Sequence, residues 1–147
     1  MKSWKVDESL TQPEEAEAAI KWFDSKLQQS IGILGDYFDR FRLSEALMTV
    51  YKLFWDEFSS WYLEIVKPKF QMPVDSITFN HTIEFLDKLL HLLHPFMPFI
   101  TEEIWQLIIE RNANESLMIS PMPVAGKFNT GIIKHFEQVK EIIAKAR

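Results

Sequence analysis

The sequence predicts an all-α protein: a helical bundle of about four main helices plus a C-terminal helix, with a short extended segment near residues 116–119. Three observations predict it. Apolar residues recur at alternating gaps of four and three over long stretches, the spacing that stacks side chains on one helical face. Prolines and polar capping residues punctuate those stretches where helices start and stop. Twelve Phe and five Trp in 147 residues supply large rings for a core, each Phe-sized side chain contributing about 1.5–3 kcal/mol on burial.

Residues 1–10 show no periodicity and read as a lead-in segment. Thr11 with Glu14 three positions on has capping-box spacing, and Pro13 suits a first turn. A long helix should follow, with Ala16, Ile20, Phe23, Leu27, Ile31, Leu34 and Phe38 on one face. Gly32 and Gly35 either admit a close neighbour or weaken this helix, by about 1 kcal/mol each. Arg40-Phe41-Arg42-Leu43 reads as the turn and Ser44 as the N-cap of a second helix. Its expected inner face is Leu47, Val50, Tyr51, Phe54, Phe58, Trp61, Tyr62 and Ile65, and it stops before Pro68. Phe70 to Asp75 reads as a loop. Asp75 or Ser76 then caps a third helix turning Phe79, Ile83, Leu86, Leu90 and Leu93 inward.

The third helix runs into His94 to Trp105, HPFMPFITEEIW. Pro95 cannot donate a helix hydrogen bond and disfavours helical geometry in His94, so the rod stops or bends there. Pro98 fits a new first turn, Thr101 offers an oxygen to unpaired amides, and Glu102 and Glu103 complement the positive end of the dipole. Phe96, Met97, Phe99 and Ile100 are apolar where an exposed loop would be polar, so the corner is expected to be buried. A fourth helix, from Pro98 to near Glu110, should bury Ile100, Ile104, Trp105 and Ile108. After a loop at 112–115, Ser116 to Ile119 reads as a short extended strip before Pro121 and Pro123. A last amphipathic pattern from Thr130 carries Ile132, Ile133, Phe136, Val139, Ile142 and Ile143. The expected division is a lead-in over 1–10, a bundle over 11–111, and a strip with a C-terminal helix over 112–147.

HPFMPFITEEIW, preceded by LDKLLHLL, resembles the segment closing the helical anticodon-binding domain of class I aminoacyl-tRNA synthetases, and the valyl enzymes most closely. KWFDSKL at Lys21–Leu27 is similar to that family's RWILSRL pattern, and FWDEFSSWYLEIVK at Phe54–Lys67 to its W-x-x-F-C-D-W-Y-L-E pattern. Ser59 and Ser60 replace the usual Cys-Asp, and Met122 stands where Trp is common in the strip. The resemblance implies binding of tRNA(Val) and attachment to catalytic and editing domains of a longer chain that uses ATP, Mg²⁺ and L-valine. It also implies a basic and aromatic helix upstream and a coiled coil downstream, neither of which this sequence contains. The HIGH-like and KMSKS-like signatures of amino-acid activation are missing too. This chain is therefore expected to be non-catalytic and to hold no cofactor.

Composition sets further bounds. A formal charge of −5 argues mildly against nucleic acid, although RNA loops are read largely by stacking and base-edge hydrogen bonds. No cysteine means no disulfide and no thiolate metal site. No long uncharged apolar run follows the charged start, so a soluble, cytoplasmic chain without membrane contact is expected. Four Gly cannot assemble a phosphate loop. His91 and His94 lack a third ligand at metal spacing, so no metal site is expected and hydrogen bonding near a helix end suits them better. Glu102 and Glu103 are adjacent, which points them about 100° apart and suits capping rather than paired acid chemistry.

RNA-loop contact calls for exposed aromatics interleaved with cations. Trp4 beside Lys5 fits, as does Trp22 flanked by Lys21 and Lys26, with core packing the competing reading of Trp22. Arg40 and Arg42 at a helix end, and Lys67 with Lys69 beside Pro68, are candidates for phosphates; a solvated face competes for each. The functional alternatives are a helical protein-interaction module and the anticodon-binding domain of an isoleucyl or leucyl enzyme.

Overall fold

Helices carry most of the chain in the structure, a computed structural model that describes residues 4–147. The order is β1 (Val6–Asp7), α1 (Glu14–Asp39), α2 (Leu43–Lys52), a π-helical segment (Leu53–Tyr62), α3 (Leu63–Val66), β2 (Val74–Asp75), α4 (Ser76–Leu93), α5 (Pro98–Ile108), a 3-10 turn (Leu117–Ile119) and α6 (Thr130–Ala146). α2, the π segment and α3 form one unbroken rod, so the all-α bundle of four main helices and a C-terminal helix is what the chain builds.

α1 buries the predicted face, with Phe38 half-covered at its end, and runs unbroken through Gly32 and Gly35. Its start differs from expectation. Pro13 is the N-cap without a side-chain bond, so Thr11 caps nothing; Glu14, Glu15 and Glu17 in the first turn complement the dipole instead. At the other end Arg42 N–H donates to Tyr37 O (2.8 Å) and Phe41 N–H to Phe38 O (3.1 Å), with Phe41 at φ 56°. This is a Schellman closure with Phe in the position glycine usually takes. The second helix consequently begins at Leu43 with Arg42 as N-cap rather than at Ser44.

The π segment accounts for the largest departure in side-chain facing. The buried series Ala46, Val50, Leu53 takes a five-residue step to Phe58 before resuming at Tyr62 and Val66. Leu63 N–H reaches back five residues to Phe58 O, and the Ser60 hydroxyl donates to Trp55 O (2.9 Å). A π turn takes about one residue more than an α turn, so Leu47 and Tyr51, expected inward, face solvent.

Asp75 caps α4 as predicted, accepting from Thr78 N–H at 2.8 Å. The face of α4 is rotated from expectation: Thr78, Thr82, Phe85, Leu89 and Leu92 are buried beside Leu86 and Leu90, while Phe79, Ile83 and Leu93 are half-covered. Threonines tolerate that burial because Thr82 donates to Thr78 O (2.8 Å) and, its proton so committed, accepts from the Tyr62 hydroxyl (2.9 Å). Burial pushes the Tyr62 hydroxyl up to about 12 from 10.0. A raised value means the folded chain keeps a proton that the unfolded chain gives up near pH 10. The stability linked to it is complete below that pH and is lost as pH climbs toward 12. We expect Tyr62→Phe to cost about 1 kcal/mol at neutral pH and to remove that part of the alkaline slope in urea unfolding; an unchanged slope would assign it elsewhere.

The core centres on Phe23, whose ring lies 4.9 Å from Phe85, 5.2 Å from Tyr62 and 5.4 Å from Phe58, centroid to centroid. Beyond α4 the corner is covered on one side only. Phe96 stacks on Phe38 (6.0 Å), but Phe99 is 90% exposed, and Met97, Ile100 and Ile104 also face solvent. α5 packs mainly on α4 and the 3-10 turn, which bury its Thr101 and Trp105 side. Thr101 serves as a local clasp, donating to Met97 O (2.7 Å) and bonding His94 Nδ1 (2.8 Å). His91 Nδ1 meets Asp87 O at 2.8 Å, so both histidines bond within the corner. Asp87 Oδ1 accepts from Trp105 Nε1 (2.6 Å) and Arg111 (3.2 Å), whose guanidinium lies 3.3 Å from the Trp105 ring centroid.

The strip expected to be extended over 116–119 is the 3-10 turn. Its cause is local: Ser116 Oγ accepts from Met118 N–H, and Glu102 accepts from Leu117 N–H (2.8 Å) and Ser116 Oγ (3.0 Å). Burial raises the Glu102 carboxyl, but bonds from Gln106, Ser116, Leu117 and Met118 outweigh it and hold the group below its ordinary value. Residues 125–129 then cross α1, with Gly126 N–H on Gln28 Oε1 (2.6 Å) and Asn129 N–H on Ser25 Oγ (3.2 Å). α6 closes the fold by stacking Phe136 on Trp22 (4.1 Å, 13°) and placing Lys140 between Glu57 and Glu137. Its outer Ile142, expected inward, is exposed.

Candidate nucleic-acid interface

The antiparallel run of α1 against α2 brings the start of α1 and the loop after α3 to one end of the bundle, here the lead-in end. β1 pairs in parallel with β2, Val6 opposite Val74 and Asp7 opposite Asp75, and Val74 N–H also donates to Lys5 O (2.8 Å). This short ladder sets the lead-in segment beside the loop. Between them lies an open cavity of about 620 Å³ lined by Trp4, Lys5, Pro68, Lys69, Phe70, Gln71 and Met72.

The loop wall is a tight turn. Met72 N–H donates to Lys69 O (2.9 Å), with Gln71 in the left-handed region at φ 60°. Phe70 occupies the tip of that turn, 90% exposed. Among the described residues, Lys5 and Lys69 form no ion pair, whereas Lys67, in an adjoining concavity, pairs with Glu64 at 2.6 Å. Trp4 is half-buried against the core, so its ring gives the cavity a rigid wall rather than a free aromatic.

The remaining predicted positions lie elsewhere. Trp22 is fully buried, stacked on Phe136, and takes no part in any surface; the core reading is correct because α6 covers the side of α1 that would otherwise be open. Among the described residues its Nε1 is buried without a hydrogen-bond partner. Lys21 pairs with Glu17 (2.9 Å) on the flank of α1, and Lys26 lies along a shallow groove with Ile33, Lys52 and Glu57. Arg40 and Arg42 sit at the far end of the 26-residue α1, roughly 39 Å away by helical rise. Both are paired, Arg40 with Asp36 (3.2 Å) and Arg42 with Glu45 (2.6 Å), and hydrogen bonding to Arg42 holds the Glu45 carboxyl below its ordinary value. Phe41 between them is 87% exposed. The two ends thus carry similar residue types with different charge: available cations at the lead-in end, satisfied ion pairs at the far end.

Phe70 and Gln71 were not legible as site residues, although an aromatic following Lys-Pro-Lys within a loop is a signal of the kind sought. No helix is long and apolar enough to cross a membrane among the described residues, and none of their His, Asp and Glu side chains gather in threes to hold a metal.

A helical bundle with lysines and aromatic side chains gathered on one cavity defines a class, and comparison with known proteins gives it a family. The model of the anticodon-binding domain of tRNA ligase matches residues 20–147, and the chain belongs to that family. Relatives carry a particular name. The chain is 52% identical over 147 residues to the valine-tRNA ligase of Parabacteroides distasonis, and 52% identical over the same length to that of Phocaeicola vulgatus. Similarity extends to the valine-tRNA ligase of Pseudothermotoga lettingae, at 36% over 145 residues. All of this chain aligns with the first two and 97% of it with the third, yet it spans only 17% of each relative's length. It therefore corresponds to the anticodon-binding part of such enzymes and not to their catalytic part. Trp4 and Lys5 precede the stretch that the family model matches.

Proposed function

We propose that this chain holds tRNA(Val) by its anticodon loop at the lead-in end of the bundle, within a valine-tRNA ligase whose other domains activate and transfer the amino acid. The observation that supports this placement is the meeting of Trp4, Lys5 and Lys69 on one cavity, with lysines that form no ion pair among the described residues. Two ammonium groups would set the register of the loop backbone through its phosphates, and discrimination among transfer RNAs would come from differential contacts to unstacked bases. Lys67, lining the adjoining concavity, would add to the field once drawn from Glu64. The longer enzyme would require ATP, Mg²⁺ and L-valine and would work in the cytoplasm. No step of that chemistry is assigned to this chain.

The test is a salt titration of tRNA(Val) affinity for the 147-residue chain and its Lys5→Glu/Lys69→Glu variant. The variant should bind more weakly, with the dependence of log affinity on log salt shallower by about 1 for each phosphate that is no longer neutralised. Equal affinity and slope for the two proteins would remove the lead-in end as the RNA face.

A second reading, contact with protein, is favoured by one observation: Ile100, Ile104 and Leu107 make a single exposed stripe on α5 beside Phe99. We assign that stripe to the other domains of the same enzyme, whose length is mostly outside this chain.

A further inference from the structure

The Phe70 turn carries a more specific assignment, which rests on the reading that this end takes an RNA loop. We infer that Phe70 is a stacking platform for one unpaired nucleobase, whose flanking phosphates lie against Lys5 and Lys69. A phenyl ring 90% exposed contributes nothing to the core, so packing does not explain it. The surrounding backbone holds it out: the Lys69–Met72 turn requires left-handed geometry at Gln71, a conformation uncommon for a residue with a side chain. Pro68 stiffens the approach and Lys69 immediately precedes the ring.

The opposite wall completes the pocket. Trp4 is anchored against the core, and the rung from Lys5 O to Val74 N–H fixes its neighbour across from the turn. Both rings line the cavity, yet neither stacks on another ring among the described residues, leaving a π face open on Phe70. An aromatic face on a cavity that two lysines also line suits a flat, uncharged base on an anionic backbone. It does not suit a protein helix, which would need a wider apolar seat, or a duplex, whose bases are already stacked. The exposed Phe41 lacks this complementarity because both arginines beside it are paired.

The experiment uses the 147-residue chain and an anticodon stem-loop RNA of tRNA(Val) with 2-aminopurine at successive loop positions. Binding should quench the fluorophore at one position more than at the others. Phe70→Leu, which keeps an apolar side chain but no ring, should abolish that extra quench and weaken binding about tenfold. Phe70→Trp should retain both, and the same RNA annealed to a complementary strand should show no such quench. Since Phe70 is exposed, these substitutions should leave thermal unfolding unchanged. If Phe70→Leu binds and quenches like the parent while Lys5→Glu/Lys69→Glu is impaired, the stacking assignment fails and the RNA-binding end survives. If the lysine variant also binds normally, both fail.

Discussion

Phe23→Ala should destabilise the chain by about 4 kcal/mol, enough to lower the thermal midpoint by roughly 10 °C. Three rings on the second and third rods converge on Phe23: Phe58, Tyr62 and Phe85, all within 5.4 Å centroid to centroid, and Trp22 meets its edge at 5.9 Å. Truncation removes the burial of one ring and several edge and tilted contacts, and leaves a void walled by large side chains that cannot swing in without leaving their own partners. Phe23→Leu should cost much less, about 1.5 kcal/mol, because it refills most of the volume. In urea the midpoint should fall by about 2 M at an unchanged slope. A loss below about 1 kcal/mol for the alanine variant would show that the three rods do not depend on this contact.

Lys140→Ala should loosen α6 specifically, at a cost of about 3 kcal/mol. The Lys140 ammonium is bonded to Glu57 and Glu137, and lies 4.6 Å from the Trp22 ring centre, 5.5 Å from Trp61 and 5.8 Å from Phe136. Removing it strands Glu57, whose side chain is only 17% exposed, beside three aromatic faces that no longer hold a cation. The residual access of water to Glu57 keeps the cost at the lower end of the range for a broken buried pair. Replacing both partners, Glu57→Leu/Lys140→Leu, should recover most of the loss, since no charge is then left unpaired. Amide exchange in α6 should quicken in the single variant and slow again in the double one. Uniform acceleration across α1 and α4 instead would show that α6 is not a separately docked element.

These two sites differ in how far the sequence discloses them. Phe23 belongs to the α1 face that the four-and-three spacing predicts, because α1 stays α-helical from end to end. On the second rod the same logic misplaces Leu47 and Tyr51, since the change to π geometry after Lys52 advances the buried face by a residue that no periodicity template contains. Threonine burial on α4 hides in a similar way: Thr78 and Thr82 look polar until Tyr62 supplies the third member of their hydrogen-bond chain. Lys140 and Trp22 were legible only as residue types. Their positions depend on α6 folding back over α1, a contact between segments more than a hundred residues apart in sequence.

The candidate site was legible to a similar degree. Trp4, Lys5 and Lys69 stand out as cations and an aromatic in irregular segments, but nothing local indicates that they meet. Arg40 and Arg42 look equivalent to them in sequence, and only the ion pairs with Asp36 and Glu45 separate the two groups. The corner misled in the opposite direction, because apolar character at Met97, Phe99 and Ile100 marks a surface rather than an interior.

The parallel pairing of Val6 with Val74 has a temporal consequence. One wall of the proposed RNA groove is made first during synthesis, and its mate emerges only after the first two rods have been translated. On the proposed reading, a nascent or misfolded chain lacks the joined walls of that groove, and affinity for an anticodon loop would report whether native topology has been reached.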